Sequence, residues 1–133
     1  MKEFHLEILT PDGLAYEGMV ESLLVTAVDG NVEFLAGHVD YITTLGTGPA
    51  RLKIAGKDRF ASVSHGFVTI TEGKAKLIAT TFEFADTIDI ERARLAKERA
   101  KEIIASSNDA KAIEIAKAKL LRAISRLKVA ELK

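Results

Sequence analysis

The composition of this 133-residue chain changes abruptly near residue 85. All nine glycines and both prolines lie at or before Gly73, and no aromatic residue follows Phe84. Residues 1–85 carry seven Lys/Arg against eleven Asp/Glu, whereas residues 86–133 carry twelve against eight. We therefore predict two parts, a β domain over residues 1–85 and a helical arm over residues 86–133.

Residues 1–85 contain short apolar segments separated by turn-forming residues. Phe4, Leu6 and Ile8 alternate with polar residues, which is the period of a half-buried strand. Thr10-Pro11-Asp12-Gly13 is typical of a turn, because proline fixes φ and glycine tolerates a left-handed conformation. Further strand-like segments follow, roughly one every 8–12 residues, which is typical of a β-sandwich or a β-barrel, and we expect an antiparallel sandwich of about eight to ten strands. The later predicted strands include Arg59–Ser64 and Phe67–Thr71, and the predicted turns include Gly46–Pro49, His65-Gly66 and Glu72-Gly73.

From Thr87 the apolar residues follow a helical period. A first helix is predicted from Asp89 to Ala105, with the Asp89 carboxylate at the positive N-terminal end. A polar break at Ser106–Asp109 separates it from a second helix, and so short a connection predicts an antiparallel hairpin. The apolar stripes are Ala93, Ala96, Ala100, Ile103 and Ile104, then Ile113, Ala116, Leu120, Ala123, Ile124 and Leu127. Because alanine buries little area, we expect a hairpin that opens easily. The chain as a whole is therefore predicted to be of the α+β class, with a β domain followed by a helical hairpin.

Composition excludes several classes of function. The chain has no cysteine, which excludes disulfides, thiol catalysis and cysteine-ligated zinc, and fits a cytoplasmic location. No apolar run approaches the ~18 residues of a membrane span, and no signal-peptide pattern is present. A formal net charge of zero gives no general attraction to nucleic acid. His5, His38 and His65 lack the neighbours of a catalytic triad or metal site, so we expect neither catalytic residues nor a metal.

Four arginines in the two predicted helices are candidates for an anion site. Arg92 and Arg99 share one side of the first helix, and Arg122 and Arg126 share a face of the second. If the hairpin turns near residues 107–108, the numbers of two residues that face each other across the hairpin add up to about 215. This rule places Arg122 beside Arg92 and Arg126 across from Asp89. One interpretation is a solvated face with an exposed Asp89–Arg126 pair, which geometry alone favours. The other is a polyphosphate site, since guanidinium groups bind phosphate oxygens bidentately.

Three motifs resemble those of the F-type ATP synthase epsilon subunit, and the resemblance runs the full length of the chain. Ile88-Asp89-Ile90-Glu91-Arg92-Ala93 matches the Ile/Leu-Asp-x-x-Arg-Ala nucleotide motif of that family. Ser64-His65-Gly66-Phe67 is similar to its Ser-Gly-Gly-Phe turn, with one glycine replaced. The Gly30–Asp40 loop keeps Gly30, Leu35, Gly37 and His38 of the family pattern but lacks its central glycine and both prolines.

The resemblance implies a non-catalytic subunit that needs no cofactor and binds ATP as a regulatory ligand, with the Mg²⁺ requirement open. Asp89 and Ala93 would lie at the adenosine end, and the arginines at the phosphates. Glu83 would orient an arginine or contact the nucleotide. The full implied set of ATP-binding residues is Glu83, Ile88, Asp89, Arg92, Ala93, Arg99, Arg122 and Arg126.

The resemblance also implies a place in a rotary machine. The β domain would bind the gamma subunit and the membrane ring of c subunits, with rotor contacts from Glu33, Gly37, His38 and Asp40. The arm would either fold on the β domain or extend along gamma to the catalytic alpha and beta subunits and inhibit ATP hydrolysis. The implied location is peripheral, at the cytoplasmic face of the cell membrane, without membrane insertion and without nucleic acid. The alternative is a free-standing ATP-sensing module without a rotor role.

Overall fold

The structure, a computed structural model, describes residues 2–132. Eight strands precede a single 3-10 turn, Ala85–Thr87, which leads into two α-helices. The strands are β1 Phe4–Thr10, β2 Gly13–Val20, β3 Ser22–Ala27, β4 Gly30–Leu35, β5 Tyr41–Leu45, β6 Gly48–Ile54, β7 Lys57–Thr71 and β8 Lys74–Phe84, and the helices are α1 Ile90–Ser106 and α2 Ala110–Ala130. The predicted α+β class, a sandwich of eight to ten strands followed by two helices, is confirmed.

The sandwich closes around β7, which is fifteen residues long. Its first half pairs with β6, its second half with β5, and most of its length with β8. The strand order is β2-β1-β8-β7-β5-β3-β4, with β6 bridging β3 and β7. The pairing of β1 with β8 is parallel, and the other pairings within residues 2–132 are antiparallel.

The core lies between the two layers and follows the alternation read from the sequence. Phe4, Leu6 and Ile8 of β1 are buried, as their period predicted. Phe34 of β4 and Leu77 of β8 are among the largest fully buried side chains. Burial of aromatic and branched side chains supplies the main free energy of such a domain.

The predicted turn at His65-Gly66 is wrong, because β7 runs straight through it. His65 has a φ of +47°, and Gly66 pairs with Ala79 of β8. A Cβ atom at Gly66 would lie 1.8 Å from the carbonyl oxygen of Ile78, so only glycine permits this approach of the two strands. The predicted Gly46–Pro49 turn is shorter than expected, since β6 begins at Gly48. Strand β2 was not predicted, because Gly13–Val20 has only one buried residue and therefore no clear alternation.

The helices begin and end close to their predicted bounds. Asp89 is the N-cap of α1, and its carboxylate accepts a hydrogen bond of 3.0 Å from the backbone N–H of Arg92. Asp109 caps α2 in the same way through the N–H of Lys111. These caps satisfy backbone donors that have no partner inside the helix. No helix within residues 2–132 is both long enough and apolar enough to cross a membrane.

Candidate functional site

The two helices pack against each other through a narrow alanine seam. Ala93 and Ala100 of α1 and Ala116 and Ala123 of α2 are buried. Small side chains let the helix backbones approach closely but bury little apolar area per turn. Ile103 and Ile124 were predicted to join this seam, but they remain 40% and 42% exposed.

A groove of about 790 Å³ runs along one side of this seam, between the two helices. It is open to solvent and combines apolar walls with charged rims. Its lining residues are Asp89, Glu91, Arg92, Leu95, Ala96, Arg99, Ala100, Ile103, Lys119, Arg122 and Arg126. The groove therefore brings together all four arginines that the sequence singled out, with Asp89 at one end.

The groove carries an excess of positive charge. Five cationic side chains line it against the two carboxylates of Asp89 and Glu91. Within residues 2–132, the guanidinium groups of Arg92, Arg99 and Arg122 have no carboxylate oxygen within 4.0 Å. Unpaired guanidinium groups that converge on one concave surface are suited to an anion with several oxygens.

Arg126 differs from the other three arginines, because it already has a partner. Its Nε donates to the Glu83 carboxylate of β8, and the side chains of both residues are about two-thirds buried. The exposed Asp89–Arg126 pair considered from the sequence is therefore wrong. A smaller recess beside the groove is lined by Glu83, Thr87, Asp89, Arg92 and Arg126, so it joins the β domain to the helical groove.

Ile88 and Ala93 are buried and do not line the groove. Ile88 packs in a small apolar cluster with Ala85, Val129 and Ala130, and Ala93 belongs to the alanine seam. Neither residue lines the groove, although both belong to the motif that also supplies Asp89 and Arg92. Of the eight residues proposed for ATP, Asp89 and the four arginines therefore face one groove directly, and Glu83 adjoins it.

The residues proposed as rotor contacts lie at another part of the sandwich. Glu33 forms an ion pair with Arg51, and an Asp40 carboxylate oxygen accepts a 2.9 Å bond from the Glu72 N–H. Gly37 adopts a φ of +82°, where glycine is favoured. The His38 ring packs between Phe34 and Tyr41, at centroid distances of 5.0 and 5.7 Å.

Sequence reasoning missed two sets of residues. The first is the contact between α2 and the sandwich, where Val129 is fully buried and Ser125 meets Ser62. A serine and a valine on a second face of α2 were the only signals. The second is an exposed apolar surface at the end of the Gly30–Asp40 loop and the start of β5, where Val39 is 74% and Ile42 66% exposed. Within residues 2–132, no group of three or more acidic or histidine side chains is arranged to hold a metal.

Family sequence models match both parts of the chain. The one described as "ATP synthase, Delta/Epsilon chain, beta-sandwich domain" matches residues 3–85, and the one described as "ATP synthase, Delta/Epsilon chain, long alpha-helix domain" matches residues 86–131. The ATP synthase epsilon chain of Shouchella clausii is 40% identical over 132 residues, which cover 98% of this chain and 97% of that protein. The epsilon chain of Caldicellulosiruptor saccharolyticus is 35% identical over 131 residues, which cover 98% of this chain and 96% of the relative.

Solved structures share the fold at lower sequence identity. A chain in the cryo-EM structure of the Euglena gracilis mitochondrial ATP synthase, OSCP/F1/c-ring, superposes with a TM-score of 0.83 at 20% identity. The match covers 97% of this chain and 81% of that chain. A chain of the Tetrahymena thermophila mitochondrial ATP synthase, central stalk and c-ring, gives a TM-score of 0.66 at 12% identity and covers 97% of both chains.

Proposed function

The chain belongs to the epsilon-chain family of bacterial F-type ATP synthases, and we propose that it acts there as a regulated rotor subunit. Its sandwich binds the gamma subunit and the ring of c subunits and helps to couple the catalytic head to ion flow. Its helical arm inhibits ATP hydrolysis when it extends toward the alpha and beta subunits. The solved structures that share its fold come from central-stalk and c-ring assemblies, which supports this assignment.

The regulatory ligand of the arm is ATP, and the converging arginines are the observation that carries this part of the proposal. Three guanidinium groups that have no carboxylate partner among residues 2–132 face one groove from two different helices. A polyphosphate bound there would bridge α1 and α2 through charge-assisted hydrogen bonds. The groove requires the two helices to lie side by side, so its ligand binds the folded arm and not the extended one.

The expected effect on the arm follows from linkage. Binding to one state only stabilises that state by about 2.7 kcal/mol at a ligand concentration a hundredfold above Kd. That is enough to reverse an equilibrium poised within about one or two kcal/mol of balance, and the alanine seam favours such a balance because it buries little apolar area. The arm would then inhibit hydrolysis mainly when ATP is scarce.

Calorimetric titration of the isolated protein with ATP tests the ligand directly. Losing one charge-assisted phosphate contact costs roughly 1.5–3 kcal/mol, so Arg92→Ala, Arg99→Ala and Arg122→Ala should each bind ATP at least tenfold more weakly. Lys101→Ala is the matched control, because it also removes a positive charge from α1 but lies outside the groove. Absence of heat at millimolar ATP, or equal weakening in the Lys101→Ala variant, would refute the nucleotide site.

The rotor role rests on the sandwich alone. Because Glu33 and Asp40 are engaged in internal contacts, we propose that His38 and the exposed apolar residues Val39 and Ile42 supply most of the contact with gamma and the ring. A chain that ends at residue 87 should fold and join both partners in reconstitution. A folded truncated chain that fails to join them would refute this part. Native migration of the full chain outside any large assembly would favour the free-standing ATP sensor instead.

Inhibition by the arm rests on its basic second helix, which suits an acidic segment on the catalytic subunits. Its cationic side chains after Lys111 are Lys117, Lys119, Arg122, Arg126 and Lys128. Removing residues 88–133 should raise steady-state ATP hydrolysis at low ATP. An unchanged rate would show that these cations only keep the helix soluble.

A further inference from the structure

Helix α2, rather than α1, makes the extended contacts between the arm and the sandwich, and it does so along β7, β6 and the 3-10 turn. At the centre of this contact, the Ser125 and Ser62 hydroxyl oxygens lie 2.7 Å apart, and one hydroxyl donates to the other. Both residues are buried, Ser125 at 5% and Ser62 at 6% exposure. Ser125 thus places a polar group on the face of α2 that is buried against the sandwich.

The hydrogen-bonding needs of these hydroxyls differ between the docked and the undocked arm. In the docked arm the two hydroxyls are each other's hydrogen-bond partners, one donating and the other accepting, and in the undocked arm both would hydrogen-bond to water. If one serine is lost, the other hydroxyl remains buried without its partner, but only while the arm is docked. If α2 shifted by one turn, Val129 would replace Ser125 opposite Ser62 and leave its hydroxyl unsatisfied.

We propose that the Ser62–Ser125 pair is a polar latch that fixes the register in which α2 docks on the sandwich, because docking in another register would leave a buried hydroxyl without its partner. This inference rests on the mobile arm of the proposed function, but not on the ATP site. Neither serine lines the arginine groove. The latch therefore acts on the contact between α2 and the sandwich, whereas a ligand would act on the contact between α1 and α2. The docked arm would therefore have two separable joints.

The absence of cysteine makes the latch directly measurable. In the full-length Val129→Cys variant, the single thiol replaces a side chain with 0% exposure that packs near Phe60 at the end of α2. A thiol reagent can reach it only when α2 leaves the sandwich, so the reaction rate reports the undocked population. The reagent is 5,5′-dithiobis(2-nitrobenzoate), added without nucleotide.

The expected pattern is non-additive. In the Val129→Cys background, Ser62→Ala and Ser125→Ala should each raise the reaction rate roughly fivefold to a hundredfold, because each leaves one buried hydroxyl unsatisfied. The double variant Ser62→Ala/Ser125→Ala should return to the parent rate or below it, because it leaves no buried hydroxyl. A double variant that reacts as fast as the single variants would overturn the latch, as would single variants that react at the parent rate.

Ser64→Ala is the matched control for general loss of stability. Ser64 is buried like Ser62 and pairs with Thr81 at 2.5 Å, but this pair lies inside the sandwich. Its removal should leave the thiol rate unchanged, and a rate as high as that of Ser62→Ala would overturn the latch.

Repeating the series with ATP separates the two proposals. If ATP has no effect while the serine pattern persists, the nucleotide site fails and the latch stands.

Discussion

Replacing Gly66 with alanine should destabilise the whole sandwich. The added Cβ would lie 1.8 Å from the Ile78 carbonyl oxygen and 2.8 Å from the Ala79 Cα atom. Both contacts are to backbone, so no side-chain rotation relieves them. Strands β7 and β8 must therefore separate at this point, and they are the strands that carry Ser62 and Glu83 toward the arm.

The size of the effect follows from the displacement required. Restoring an ordinary contact of about 3.2 Å moves the strands apart by more than 1 Å, which is enough to break ladder hydrogen bonds next to Gly66. Overpacking of this kind typically costs about 1–3 kcal/mol, and each buried backbone group left unpaired adds about as much. We expect a loss of at least about 3 kcal/mol, which for a domain of this size lowers Tm by roughly 10 °C.

Differential scanning calorimetry of Gly66→Ala and Gly46→Ala tests this reasoning. Gly46 is the control, because it has no positive φ and a Cβ there would meet nothing within 4 Å. Gly46→Ala should unfold within a few degrees of the parent. If the two variants have the same Tm, then β7 and β8 are not held as closely as the structure describes, and the explanation for Gly66 is wrong.

Three further predictions concern the cap, the ionic contacts and pH. Asp89→Ala removes the α1 N-cap, costs about 1 kcal/mol, and should speed hydrogen exchange of the first-turn amides of α1 roughly fivefold while the amides of α2 stay unchanged. ATP affinity, measured by calorimetry, should fall steadily between 0.05 and 0.5 M salt, since screening shortens the reach of the groove arginines, and a flat response would contradict charge recognition. Burial against Phe84 raises the pKa of Tyr16 above its ordinary value of 10.0, so its stabilising effect is complete below that pH and is lost as the pH rises beyond it. Chemical unfolding of Tyr16→Phe should show a smaller loss of stability above pH 10 than the parent.

The sequence predicted those features of the sandwich that depend on neighbouring residues. The alternation of apolar and polar residues predicted β1, whose apolar side chains are buried. The predicted Glu72-Gly73 turn connects β7 and β8, and both of its residues have a positive φ. Gly66 shows where such reasoning stops. Glycine in a turn and glycine under a neighbouring strand look the same in one sequence, because the second role depends on a carbonyl oxygen twelve residues away.

The arm shows the same limit at the level of helix faces. Position counting correctly placed Arg92 and Arg122 on the same side of the hairpin, where both line one groove, because their relative position depends mainly on where the hairpin turns. Counting along two helices also pairs Arg126 with Asp89, but the sandwich supplies a carboxylate that such counting cannot include, and Arg126 pairs with Glu83 of β8.

Helix α2 has two narrow contact faces, one for α1 and one for the sandwich, and a helical wheel resolves only the more apolar one. The second face is built from Ser125, Val129 and the Arg126 ion pair, which mix polar and apolar groups. An interface of this composition buries little apolar area, so its geometry is fixed by paired polar groups rather than by area. Such an interface can be specific without being strong, which is the combination that a regulatory arm requires if it is to dock in one position and still be released.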